Sequence, residues 1–158
     1  MGSLTFQIEV SSSHPPDVIF DKILDLENWQ SFSGFGPIPG IEQATFENPD
    51  SPVPGRRIRV KNLDGSQHVE KVTHWNAPNS ITMELKEFSA PLSTLASHFI
   101  ERWKIEAQSH QILIVRSFEL FPKNSLVYPL LWIISRFLKL AVARHTRQLA
   151  SNAGMEYN

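Results

Sequence analysis

The stretch SHFIERWKIE (97–106), followed after a short polar break by QILIVRSFELF (111–121) and then by SLVYPLLWIISRFLKLAVARHTRQLAS (125–151), decides the fold. In the first two segments apolar side chains recur at every second residue, the period of a strand with one covered face. In the third they recur every three or four residues, the period of a helix. Two long strands feeding one long apolar helix predict an antiparallel sheet curved around that helix. Such a sheet encloses a cavity, so polar residues on the otherwise apolar inner faces carry the functional signal.

Upstream the same periods continue. Residues 5–11 set Phe6, Ile8 and Val10 against Gln7 and Glu9, a half-buried strand. Ser13-His14-Pro15-Pro16-Asp17 supplies a Ser cap, prolines in the first turn and an early acid for a helix carrying Val18, Ile19, Phe20, Ile23 and Leu24. A second short helical piece holds Leu26, Trp29 and Phe32. SGFGPIPG (33–40) is too rich in Gly and Pro for regular structure, and it carries Phe35 and Ile38 outside any core element. A strand over 41–48 and a Pro-rich loop over 49–55 follow. Strands at 56–62 and 67–75 flank Leu63-Asp64-Gly65-Ser66, whose Asp-Gly reads as a two-residue hairpin turn. That turn pairs Val60 with Val69 and Arg59 with Glu70. It sets Ile58, Val60, Val69, Lys71, Thr73 and Trp75 inward, and Arg57, Arg59, Lys61, His68, Glu70 and His74 outward. Residues 80–88 present Ile81, Met83 and Leu85 on one face, and 89–94 is a break. In the final helix Ser135, Arg136, Lys139, Ala143, Thr146 and Arg147 form a polar stripe opposite Leu130, Ile133, Ile134, Phe137, Leu138 and Ala141.

Composition narrows the functional classes. The chain has 158 residues, 41% hydrophobic and 20% charged, enough for one domain with a real core. A net charge of -1 supplies no global field for nucleic acid. The absence of cysteine excludes disulfides and thiolate metal sites. The opening MGSLTFQIEV lacks the basic and apolar regions of a signal peptide, and a cytoplasmic location is expected. Residues 126–143 are very apolar. Pro129, Arg136 and Lys139 oppose a membrane span there, each central charge costing roughly 2.5–3.5 kcal/mol.

Glu101 and Arg116 are the foremost candidates for chemistry, because both interrupt apolar inward faces: Phe99, Trp103 and Ile105 on one strand, Ile112, Ile114 and Phe118 on the other. A two-residue turn at Gln108-Ser109 opposes them directly, and a turn one residue later makes them diagonal neighbours. Either register puts them in reach of each other. They are a polar anchor for a ligand, or a structural ion pair that offsets the desolvation of two buried charges. Lys71 is a further candidate, as a ligand-binding cation or as a snorkelling edge residue. Phe35, Ile38, Trp75, Met83, Phe99, Trp103, Phe118, Ile134 and Phe137 are the expected lining. The six histidines, among them His98 and His145, form no HExxH or similar metal spacing, and Gly34-Phe35-Gly36-Pro37 lacks the lysine and the following helix of a phosphate loop. No metal or cofactor is expected. Tyr128 and Trp132 beside Arg136 and Lys139 suit a membrane interface or partner surface, unless the preceding loop or first helix covers them. Nothing in the sequence fixes the number of subunits.

The order strand, two short helices, about six strands and a long C-terminal helix resembles the START-like helix-grip superfamily, also called SRPBCC, and its polyketide cyclase/dehydrase-like branch. The most similar pieces are Asn28-Trp29, Gly36-Pro37-Ile38-Pro39-Gly40-Ile41, Glu101-Arg102-Trp103 and Arg116-Ser117-Phe118-Glu119-Leu120-Phe121-Pro122. The resemblance covers nearly the whole chain and implies an α+β fold: a sheet of about seven strands wrapped on the last helix, with two short helices after the first strand. It further implies a loop-gated pocket for lipids, sterols, hormones or polyketides. In the cyclase branch it implies pocket arginines and hydroxyl-bearing residues that steer an enolate, which makes Arg116 the counterpart here. The chain has two tyrosines, Tyr128 and Tyr157, and neither falls on an inward strand face, a departure from that pattern. Three functions are thus expected in order: carriage of a hydrophobic small molecule; cyclase or dehydratase chemistry with Glu101 as acid or base and Arg116 or Lys71 stabilising an enolate; and membrane docking for lipid transfer or partner binding.

Overall fold

The computed structural model describes residues 2–152, so Tyr157 lies outside the described residues. The elements are β1 (Leu4–Ser12), α1 (Pro16–Ile23), a 3-10 helix (Leu26–Ser31), β2 (Ile41–Phe46), β3 (Arg57–Asn62), β4 (Gln67–Asn76), β5 (Ser80–Lys86), a 3-10 turn (Leu92–Thr94), β6 (Ala96–Ala107), β7 (Ile112–Pro122) and α2 (Tyr128–Asn152). The strands form one antiparallel sheet in the order β1-β7-β6-β5-β4-β3-β2. The sheet curves around α2, which packs on β1 and β7, as the alternating strands and terminal helix predict. Along β1, Leu4, Phe6, Ile8 and Ser12 are buried, and Phe6 stacks on Phe118 at 5.2 Å. Pro16 and Asp17 open α1 as expected. Ser13 does not cap it: Pro15 holds the cap position without a side-chain hydrogen bond, and the His14 N–H donates to Ser12 Oγ instead.

Two faces differ from the sequence reading. The Asp-Gly turn is not a two-residue loop. Asn62 N–H donates to the Ser66 carbonyl, Gly65 N–H to the Asn62 carbonyl, and Ser66 N–H to Asp64 Oδ1, with Gly65 at a φ of 87°. The longer loop pairs Val60 with His68 and Ile58 with Glu70. A one-residue slip exchanges the two faces of a strand. His68, Glu70 and Val72 therefore point inward beside Ile58 and Val60, while Val69, Lys71 and Thr73 occupy the outer face. An irregularity between Val72 and His74 shifts the β4–β5 register, so that Val72 pairs with Met83 and Trp75 with Ile81; Trp75 thus returns to the inner side.

The second difference lies on α2. Its buried seam is Leu131, Ser135, Leu138, Val142, His145 and Thr146, whereas Leu130, Ile133 and Leu140 are half exposed. Ser135, Ala143 and Thr146, read as part of the polar stripe, are buried. Ser135 Oγ donates to the Trp132 carbonyl and Thr146 Oγ1 to the Val142 carbonyl, so each hydroxyl is satisfied within the helix and can face the sheet without a foreign partner.

Candidate functional site

β6 and β7 pair Glu101 with Phe118 and Trp103 with Arg116, which makes Glu101 and Arg116 the diagonal neighbours of the later-turn register. Period 2 aims both under α2. Arg116 Nε donates to Glu101 Oε2 at 2.8 Å, and Nη2 approaches the same oxygen at 2.6 Å. Nη1 donates to His145 Nδ1 at 3.0 Å and to Thr146 Oγ1 at 3.3 Å. The guanidinium lies over the Trp103 ring at 4.1 Å from its centroid, a cation–π contact in a dry setting. A guanidinium has five N–H donors and no acceptor. Strand β6 and helix α2 therefore hold most of its hydrogen-bonding capacity.

These contacts decide protonation. A guanidinium can only donate, so His145 accepts at Nδ1 and is the neutral Nε2–H tautomer. Burial first, and the Arg116 charge second, lower its pKa to about 3. Burial pushes the Glu101 carboxyl up, Arg116 pulls it down, and Glu70 pushes it up again. The Trp103 indole N–H is near enough to favour the Glu101 carboxylate, yet falls short of hydrogen-bond geometry, and it is the buried side-chain polar atom left without a partner among the described residues. On the facing side, Glu70 Oε1 lies 3.0 Å from His68 Nε2.

A cavity of about 300 Å³ separates this cluster from the loop over 33–40. Of the expected lining, Ile38, Phe99, Glu101, Arg116, Phe118 and Ile134 reach it. Met83 and Trp103 instead border a side pocket of about 40 Å³ that also touches Glu70, Glu101, Arg116 and His145. Phe35, Trp75 and Phe137 line neither. Trp75 packs edge-on against Phe20 of α1. Phe35 faces Phe137 at 6.3 Å, and the Arg144 guanidinium lies 5.1 Å above its ring, so it pins the loop to α2. The loop itself closes through reciprocal Phe35–Ile38 backbone bonds of 2.9 Å. It requires Gly34 at a φ of 76°, where a Cβ would fall 2.1 Å from the Ile38 carbonyl oxygen. Lys71, on the outer face, is not part of the site. Sequence reasoning missed Glu70, His68, His145 and Thr146. Among the described residues no group of three His, Asp or Glu gathers in a way that could hold a metal ion.

This architecture of sheet, helix and loop-covered cavity recurs in solved structures. The crystal structure of Ara h 8.0201 superposes with a TM-score of 0.70 at 16% identity, over 96% of this chain and 98% of that one. The fold is the START-like helix grip. The major latex-like protein 151 of Panax ginseng gives a TM-score of 0.66 at 14% identity, over 95% of this chain and 99% of that one. The di-domain ARO/CYC StfQ of the steffimycin biosynthetic pathway gives 0.73 at 12% identity, over 99% of this chain, which spans 52% of the di-domain protein. At these identities the likeness speaks for the fold. No protein-family model and no curated protein sequence matches the chain.

Two predictions follow from the buried cluster. Arg116→Met leaves Glu101 buried without its cation and should cost about 3–5 kcal/mol in urea unfolding, whereas Arg116→Met with Glu101→Leu should restore most of that loss. A single variant as stable as the wild type would show that the buried pair contributes nothing to stability. The second concerns pH. The pKa of His145 in the folded state lies below its ordinary 6.5, so the unfolded chain takes the proton first. Its contribution to stability is complete above about pH 6.5 and is lost as pH falls towards the folded value, by about 2 kcal/mol at pH 5. Glu101 works in the opposite sense, since its raised pKa makes the folded state hold a proton more firmly than the unfolded chain. Comparison with His145→Gln isolates the histidine: urea unfolding at pH 7 and pH 5 should show the wild type losing about 2 kcal/mol more than the variant, and equal losses would refute the assignment.

Proposed function

We propose that the protein binds and carries a hydrophobic small molecule in the cavity between sheet and α2. The observation behind this reading is the cavity itself: about 300 Å³, walled mainly by apolar residues such as Leu85, Phe99, Phe118 and Val142, under a loop fastened to α2. Apolar burial supplies affinity at roughly 25 cal/mol per Å². The fold it shares with an ARO/CYC protein raises cyclase or dehydratase chemistry as the alternative. That chemistry needs a donor aimed where an enolate oxygen develops. Arg116 directs its bonds to Glu101, His145 and Thr146, and Lys71 is on the far side of the sheet, so the carrier reading fits the polar groups better. Ile134→Trp should fill the cavity and abolish uptake of Nile red while circular dichroism and melting temperature stay near wild type. Unchanged uptake by that variant would exclude the cavity as the site.

A second reading, docking on an anionic membrane, rests on the outer face of α2. Leu126 is 90% exposed, Leu130 and Leu140 50%, and Ile133 and Trp132 48%. Leu130, Ile133 and Leu140 recur at helical spacing on one side. From residue 123 to residue 151 the chain carries Lys123, Arg136, Lys139, Arg144 and Arg147 and no Asp or Glu. An apolar row within an exclusively cationic segment complements an anionic lipid surface. None of the described helices is long and apolar enough to cross a bilayer, so contact would be peripheral. The protein should co-sediment with phosphatidylserine-containing vesicles, much less with pure phosphatidylcholine, and Leu130→Ser with Ile133→Ser should abolish it. A wild-type protein that stays in the supernatant with anionic vesicles would sink the idea.

A further inference from the structure

Taking the cavity as the binding site, as proposed above, we infer that it selects apolar ligands whose polar end donates a hydrogen bond, a hydroxyl or a protonated amine, and disfavours carboxylates. The cavity wall still offers a ligand more acceptors than donors. The titratable groups on it are Asp64, His68, Glu70, Glu101 and Arg116, three carboxylates against one guanidinium and one imidazole. Arg116 already makes four contacts to Glu101, His145 and Thr146. Glu101 receives both Arg116 contacts at Oε2, and among the described residues no hydrogen bond reaches Oε1. Glu70 engages His68 through Oε1 and leaves Oε2 likewise. Both carboxylates border the cavity and both are buried, at 7% exposure for Glu70 and 2% for Glu101.

Neither Glu101 Oε1 nor Glu70 Oε2 is sealed off from the cavity, so water can solvate it there; a ligand that brings a donor replaces that water, and one that brings none leaves the acceptor unpaired at a cost. A hydroxyl or ammonium brings the donor. A carboxylate head finds its natural partner occupied and meets like charges at close range, in a setting where Coulomb terms are strong. Glu70 is the residue that tunes this selection, because Arg116 spends its carboxylate contacts on Glu101, while Glu70 is bonded to His68 through Oε1 alone.

The test is displacement of Nile red at pH 7 by four ligands with the same tail: 1-decanol, decylamine, decanoate and decyl methyl ether, the last neutral and without a donor. The alcohol and the amine should displace the dye at concentrations about tenfold lower than decanoate or the ether. Glu70→Gln should weaken the amine about tenfold and leave the ether unchanged. If Nile red itself does not bind, the cavity reading fails, and this inference with it. If the dye binds and decanoate competes as well as the amine or alcohol, the cavity reading stands and the donor rule is overturned. An amine preference that survives Glu70→Gln removes Glu70 as its source.

Discussion

One buried guanidinium organises the molecule. Arg116 lies beneath α2 at 7% exposure, and a charge so placed must be compensated or it would cost several kcal/mol. The compensation comes from two layers at once: Glu101 from the neighbouring strand, His145 and Thr146 from the helix. Apolar packing alone would let α2 slide or rotate on the sheet, because leucines and isoleucines are nearly interchangeable in a greasy seam. The hydrogen bonds to Nδ1 and Oγ1 admit one rotation and one depth. The cavity lies on one side of this polar cluster.

The same constraint explains the outer face of α2. Fixing His145 and Thr146 against the sheet carries Ser135, Leu138 and Val142 inward with them, since residues three and four apart share a helix face. Leu130, Ile133 and Leu140 are then turned out. Their exposure is a consequence of where the polar anchor sits on the helix, which is why an apolar row and a row of buried hydroxyls coexist on one element.

The fold was legible because each element carries its own period: two in the strands, three to four in α2. Glu101 and Arg116 were legible for the same reason, as charges breaking an apolar alternation. The inward turn of His68 and Glu70 was not. It depends on the length of one turn, set by side-chain and backbone bonds among Asn62, Asp64 and Ser66 that no hydrophobic pattern encodes. The burial of His145 and Thr146 was hidden by a related ambiguity. A helix apolar on most sides does not announce which side meets the sheet, and small hydroxyl residues read as solvent-facing until their bonds to the preceding turn are seen. Phe35 shows a third kind of limit. An aromatic in a Gly-Pro loop reads equally well as a lining residue or as a pin, and only the position of Phe137 and Arg144 separates the two.

Helix α2 therefore has two apolar faces in different surroundings. Its inner face, through Ile134, Leu138 and Val142, is a wall of the cavity. Its outer face is open to the surroundings. The loop over the cavity is fastened to this helix as well, by Phe35 on Phe137 and by Arg144 Nη1 donating to the Gly34 carbonyl at 3.3 Å. A helix with its side chains is about 10–12 Å across, so anything bound to the outer face lies within one helix diameter of the cavity. Displacing the first half of α2 necessarily moves Phe137, and with it the loop that Phe137 holds. Movement of the second half is resisted by the bonds from Arg116 to His145 and Thr146. The geometry thus fixes the later part of α2 by a buried charge, and ties the loop to both parts of the helix, through Phe137 in the first and through Arg144, next to the anchored His145, in the second.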